Sequence, residues 1–104
     1  MAGRFSEKEV SNLFKTARRA LRHPGLDILC GPAAQKQGRI LVITARATGT
    51  APKRNLIRRR LKAIFFEEKL FERGFDCIVI IKKAGINLDF EQLKGLLVGT
   101  FEKL

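Results

Sequence analysis

Hydrophobic positions along this chain follow two different periods. In 6–22, "SEKEVSNLFKTARRALR", Val10, Leu13, Phe14, Ala17 and Leu21 recur three and four residues apart, which predicts one amphipathic helix. Ser6 and Glu9 form a capping-box pattern at its start. "HPG" at 23–25 stops it. In "LDILC", 26–30, Leu26, Ile28 and Cys30 alternate with other positions, the mark of a strand with one wet face. "GPAAQKQG" reads as a loop too long for a tight hairpin. "RILVITA", 39–45, and "FDCIVIIKK", 75–83, are mostly apolar and rich in β-branched residues, which predicts strands covered on both faces, the first of them central in its sheet.

Between those two strands the helical period returns. Ile57, Leu61, Ile64 and Phe65 form a stripe in a helix running from Pro52 or Lys53 to Arg73, with Pro52 suited to the first turn and Gly74 to the C-cap. A last helix starts at Asp89, with Gln92 in the capping-box position and Leu93, Leu96, Leu97, Phe101 and Leu104 as its apolar face. The elements read αββαβα, an α+β sandwich on a small mixed sheet. The strand–helix–strand unit at 39–82 implies two parallel strands joined by a helical crossover. No repeat, linker or low-complexity stretch divides the 104 residues, so one domain spanning 1–104 is expected.

Composition shows that this chain can fold and adds a demand. A domain of this length buries roughly 65% of its unfolded surface, and 45% hydrophobic content with eight Phe can fill the core. Yet 21 Lys and Arg stand against 10 Asp and Glu, a net charge of +11. Such an excess self-repels and points to a polyanionic partner, nucleic acid before an anionic membrane. No apolar run is long enough to span a bilayer, "MAGRFSEKEV" lacks a secretory pattern, and two cysteines in apolar runs fit a reduced, cytoplasmic chain. Cys30 and Cys77 are expected as core residues, not as a disulfide or metal site.

The charge concentrates in "KRNLIRRRLK", 53–62: six cations and no acid in ten positions. At 100° per residue, Asn55, Arg58, Arg59 and Lys62 share an arc of about 100°, apart from the apolar stripe. Arg54 with Arg58, and Arg58 with Lys62, are like-charge i,i+4 pairs, each costing an isolated helix roughly 0.2–0.5 kcal/mol. Local stability does not select this pattern. Arg outnumbers Lys in the run, and its planar fork matches phosphate. Asn55 has two readings: holding a phosphate or base edge, or fixing local structure through its side chain. His23 is the sole histidine and reads as a surface loop residue. Asp27, Asp76 and Asp89 fall at two strand starts and a helix cap, with no pair placed to hold two metal ions.

The stretch Arg46-Ala47-Thr48-Gly49-Thr50-Ala51-Pro52-Lys53-Arg54-Asn55-Leu56-Ile57-Arg58-Arg59-Arg60-Leu61 resembles the signature of the protein subunit of bacterial ribonuclease P. Arg46, Gly49, Ala51, Arg54, Asn55, Arg58 and Arg59 match it in strand–loop–helix context. "RFSEKEVSNLF" and "FDCIVIIKKAGINLDFEQL" resemble the family's first helix and its last strand and helix. The chain departs from the pattern at Ala45 (usually Ser), Ala47 (usually basic), Thr48 (usually Val), Pro52 (usually Val) and Val10 (usually Phe), and the first helix is about one residue shorter. These changes trim RNA-contacting chemistry without breaking the fold.

The resemblance implies an αβββαβα-like fold with a left-handed crossover, against the general right-handed rule. It implies that a catalytic RNA subunit hydrolyses precursor tRNA to remove the 5′ leader, with Mg²⁺ held mainly by that RNA and no catalytic residue on the protein. Partners would be the catalytic RNA and precursor tRNA, not DNA or a membrane. The residues expected on the catalytic RNA are Arg46, Lys53, Arg54, Asn55, Arg58, Arg59, Arg60 and Lys62. The first helix and the concave sheet face would hold the leader, through Phe14 with Val10 and Arg18 near it. Stacking a base on an aromatic is worth roughly 1–3 kcal/mol, and with no Trp or Tyr only Phe can supply it. Plain core packing is the competing reading of Phe14. The competing function is a general basic RNA-binding or ribosomal protein without a processing role.

Overall fold

The computed structural model of the chain describes residues 5–104. Its elements are α1 (Glu7–Thr16), β1 (Arg18–Arg22), β2 (Leu26–Pro32), β3 (Ile40–Thr44), α2 (Ala51–Glu67), β4 (Phe75–Ile81) and α3 (Phe90–Glu102). Short 3₁₀ turns lie at Arg46–Thr48, Leu70–Glu72 and Lys83–Gly85. The strands form one mixed sheet in the order β1-β2-β4-β3. β2 runs antiparallel to β1 and β4. β3 is parallel to β4, with α2 as the crossover, as the strand–helix–strand unit requires.

Two expectations about element limits are corrected. The helix expected over 6–22 ends at Thr16, and Arg18–Arg22 form an edge strand, so the order is αβββαβα rather than αββαβα. Arg, Ala and Leu are good helix formers, but β2 has an edge that 18–22 can pair with across the tight turn at 23–25. A register shift between Arg19 and Leu21 lets Leu21 pack against the main core. The second correction concerns α2, which stops at Glu67 instead of Arg73. Lys69 adopts a left-handed conformation (φ 54°), and the chain turns so that Leu70 is buried. Gly74, with φ 83°, then directs the chain into β4.

Both capping boxes are formed. Ser6 Oγ accepts from Glu9 N–H at 3.2 Å, and Ser6 N–H donates to Glu9 Oε1 at 3.1 Å. Asp89 and Gln92 make the same reciprocal pair at 2.8 and 3.0 Å.

Register assigns the two sheet faces. On one face Leu26, Ile28 and Cys30 of β2 align with Ile81, Val79 and Cys77 of β4, and Val42 of β3 aligns with Val79. This face packs against Ile57, Leu61, Ile64 and Phe65 of α2 and Leu93, Leu97 and Phe101 of α3, forming the main core. The Cys77 N–H bonds to the Arg39 carbonyl, on the β3 side. Cys30 and Cys77 therefore face each other as a non-hydrogen-bonded cross-strand pair with close side chains. Both are free thiols. Contact with Cys30, together with burial, pushes the Cys77 thiol up, while Cys77 lowers that of Cys30.

The other face carries Leu29 and Gly31 of β2, Ile78 and Ile80 of β4, and Leu41 and Ile43 of β3. α1 lies over part of it. A Cβ on Gly31 would come within 3.2 Å of both Ala17 Cα and Leu13 Cδ1, so only glycine admits the helix this close. Leu13 and Ile78 are buried under α1, whereas Leu29, Leu41, Ile43 and Ile80 stay half-exposed. The strand expected at 39–45 to be central and covered on both faces is therefore corrected: β3 lies at the sheet edge and buries only Val42, because α1 reaches over β2 and β4 but not over β3. Arg39, almost fully buried at the start of β3, fastens the helix. Its guanidinium forms a paired ion bridge with Glu9 and lies 4.1 Å from the Phe5 ring centroid. No helix among the described residues is long and apolar enough to cross a membrane.

Candidate nucleic-acid interface

The parallel β3–α2 connection sets the N-terminus of α2 beside the C-terminal end of β3. Positive charge is unfavourable at a helix N-terminus, by roughly 0.3–1 kcal/mol per exposed cation. Yet Lys53 and Arg54 sit in the first turn of α2 with no acid there. Thr50 occupies the N-cap without a side-chain capping bond. Both features leave this end of the helix electrostatically suited to an anion.

A shallow groove runs along α2, lined by Ala51, Pro52, Asn55, Arg58, Arg59 and Lys62. It holds three cations and no carboxylate. The arc read from helical periodicity is thus assembled as one surface. The Arg58 side chain is hydrogen-bonded at both terminal nitrogens. Its Nη1 donates to Asn55 Oδ1 at 2.9 Å, and its Nη2 donates to Thr44 Oγ1 at 2.8 Å. Arg59 and Lys62 are exposed in the groove.

The other residues expected on the RNA do not share that groove. By rotation, Lys53 and Arg60 lie on a different flank of α2, and Arg60 Nη1 reaches the Leu88 carbonyl at 3.5 Å. Arg54 is half-buried toward the core side, with its Nε enclosed and without a hydrogen-bond partner. Arg46 is exposed in the 3₁₀ turn that links β3 to α2. Gly49 follows that turn. A Cβ there would lie 2.8 Å from Ile86 Cγ1, so glycine lets the loop pack against the turn after β4. Of the departures from the family pattern, Ala45 and Ala47 are exposed and offer no charge, Thr48 is buried, and Pro52 forms part of the groove wall.

The α1 face of the sheet is the second candidate surface. Phe14 is 43% exposed on the flank of α1, which sets aside its reading as a core residue. Val10, on the same helix, is half-buried. Arg18 does not join them. It pairs with Cys30 in β1, so its side chain leaves the sheet on the α2 side. Arg19 and Arg22, in register with Leu29 and Asp27, take the α1 face instead. Sequence reasoning misses them because 18–22 carries a helical period; a strand period would separate Arg18 from Arg19. Lys82, just past β4, completes a basic end to this face. Its Nζ lies 2.9 Å from Asp27 Oδ1 and donates to the His23 carbonyl at 3.0 Å. The Lys82 hydrogen bond holds the Asp27 carboxyl below its usual range, with Arg19 adding to the effect.

The remaining acids that sequence reading singled out have structural partners. Asp76 accepts backbone N–H bonds from Arg39 at 2.8 Å and Ala34 at 3.2 Å. Asp89 caps α3. His23, half-buried in its turn, accepts from the Gly25 N–H through Nδ1 at 2.9 Å. Among the described residues no three His, Cys, Asp or Glu side chains gather where a metal ion could be held.

Comparison with known proteins agrees with this architecture. A family model described as Ribonuclease P matches residues 6–104. A 60-residue segment is 35% identical to the ribonuclease P protein component of Helicobacter hepaticus, spanning 58% of this chain and 41% of that relative's length. The fold is similar to that of the RNase P protein from Thermotoga maritima, with a TM-score of 0.80 at 22% identity over 99% of this chain and 98% of that one. It is similar also to the Staphylococcus aureus RNase P protein, with a TM-score of 0.77 at 15% identity over 95% and 91% of the two chains. With the match running from the first capping box to the end of α3, this chain belongs to the ribonuclease P protein family.

Proposed function

We propose that this chain is the protein subunit of a cytoplasmic ribonuclease P ribonucleoprotein that removes the 5′ leader from precursor tRNA. The observation that carries the reading is the α2 groove: Asn55, Arg58, Arg59 and Lys62 on one surface without a carboxylate. Such a surface takes phosphodiester oxygens from structured RNA through charge-assisted hydrogen bonds. Arg46, at the loop before α2, extends it.

The chemistry belongs to the RNA subunit, and Mg²⁺ is held mainly by RNA phosphates. The protein's own acids favour this division, because Asp27, Asp76, Asp89 and Glu9 are engaged in ion pairs, caps and backbone bonds. The protein's cations offset phosphate repulsion when catalytic RNA and substrate come together, lowering the Mg²⁺ required. The leader strand lies on the α1 face. Phe14 offers a stacking surface there, the half-exposed aliphatic residues give an apolar floor, and Arg22 stands at one end beside Arg19 and Lys82, whose two charges are only partly offset by the single carboxylate of Asp27.

The test is cleavage of a precursor tRNA at low Mg²⁺ with catalytic RNA alone, protein alone and both together. Cleavage restored only in the mixture is the expected result. Cleavage by the protein alone would overturn the division of labour, and no rescue of the cognate RNA would overturn the subunit reading.

A further inference from the structure

The groove contains one arginine whose position is set by its neighbours. We infer that Thr44 and Asn55 are positioning residues that clamp the Arg58 guanidinium, presenting it in fixed orientation to an RNA phosphate. The inference rests on the α2 groove being an RNA-binding surface.

The geometry is specific. Arg58 donates from Nη1 to Asn55 Oδ1 at 2.9 Å, one helical turn back, and from Nη2 to Thr44 Oγ1 at 2.8 Å, at the end of β3. The two acceptors come from different elements, so the planar group is held at two corners. A guanidinium has five N–H donors and no acceptor; two are used here, leaving three for a ligand. Neither acceptor carries a charge, so the clamp orients the cation without neutralising it. A carboxylate in either position would hold the group more strongly and cancel its attraction for phosphate.

Energetics favour the same reading. A long surface arginine loses side-chain entropy on being fixed. When the fixing is done inside the protein, binding RNA no longer bears that cost. Arg58 also makes like-charge i,i+4 pairs with Arg54 and Lys62, so helix stability does not account for a cation at this point. The clamp resolves the two readings of Asn55. Its carbonyl oxygen is committed to Arg58, so its first role is local; its amide N–H₂ remains for a ligand.

A lysine in place of Arg58 would not reproduce this arrangement. An ammonium on a flexible stem lacks the planar fork needed to engage both acceptors and still present a fixed pair of donors.

The test combines two readouts. In the free protein, NMR of ¹⁵N-labelled arginine should show slowed guanidinium rotation for Arg58 in the wild type and in Thr44→Ser, and fast rotation in the nearly isosteric Thr44→Val. With a transcript of the cognate ribonuclease P RNA, Thr44→Val should weaken binding five- to tenfold, Thr44→Ser less than twofold. In an Arg58→Ala background, Thr44→Val should add nothing. A Thr44→Val loss that persists without Arg58, or wild-type affinity in Thr44→Val, overturns the clamp. Failure of the wild-type protein to bind the transcript instead overturns the RNA-binding reading of the groove, whatever the NMR shows.

Discussion

Removing Arg59 and Lys62 together isolates the electrostatic work of the α2 groove. Both side chains line the groove and are exposed, so truncation to Ala should leave the fold intact. Surface changes of this kind move stability by no more than about 0.5 kcal/mol. Relief of the Arg58–Lys62 repulsion gives a small gain in the same range. The expected loss is in RNA binding and in its salt dependence. Each phosphate neutralised contributes about 0.7–0.9 to the slope of log K against log salt, so giving up two phosphates flattens it by roughly 1.4–1.8. From 50 to 200 mM salt, a fourfold change, the gap between wild type and variant should narrow about ninefold. The assay is a salt titration of catalytic-RNA affinity by fluorescence anisotropy, with thermal melts as a folding control. Parallel lines, with affinity lowered and slope unchanged, would falsify the assignment of these side chains to phosphates. Identical lines would remove this part of α2 from the interface.

Three other outcomes are expected. Phe14→Ala should lower affinity for leader-bearing precursor tRNA about tenfold more than for mature tRNA, as lost stacking of roughly 1–3 kcal/mol implies; equal losses for both RNAs, checked by competition binding, would remove Phe14 from the leader site. The Glu9 carboxyl, held down from its ordinary 4.5 to about 2 chiefly by the Arg39 hydrogen bond, is depressed on folding, so its contribution to stability is complete above pH 4.5 and disappears as pH falls toward 2. Urea midpoints of wild type and Glu9→Gln should therefore differ at pH 6 and converge through that window; a pH-independent difference would contradict the pairing. Gly95 lies inside α3, where an added Cβ meets nothing within 4 Å, so Gly95→Ala should stabilise the protein by roughly 0.5–1 kcal/mol, seen as a higher melting temperature with RNA affinity unchanged.

Features whose physics is local were legible in the sequence. The two capping boxes need only a side chain and a backbone group three residues apart, and both form as read. The α2 arc of Asn55, Arg58, Arg59 and Lys62 follows from helical rotation alone. The buried strand around Val79 announced itself through its β-branched run, whereas the similar run around Val42 is an edge strand with only Val42 buried. Harder to read was where one period gives way to another. Val10, Leu13, Phe14, Ala17 and Leu21 fit a single helical stripe, but Leu13 and Leu21 enter different cores on opposite faces of the sheet.

Sequence by itself therefore determined the charge, the apolar stripes, the caps and the family signature, because each depends on residue type and short-range spacing. Tertiary structure alone decided that Arg18–Arg22 form a strand, since pairing with β2 depends on residues the helix pattern does not contain. It decided too that Arg19 rather than Arg18 faces α1, because strand side chains alternate. It divided the basic run, turning Arg60 to the Leu88 carbonyl and Arg58 to Thr44. Thr44 lies fourteen residues from Arg58 on another element, and only the packing of α2 beside the end of β3 brings its hydroxyl to the guanidinium.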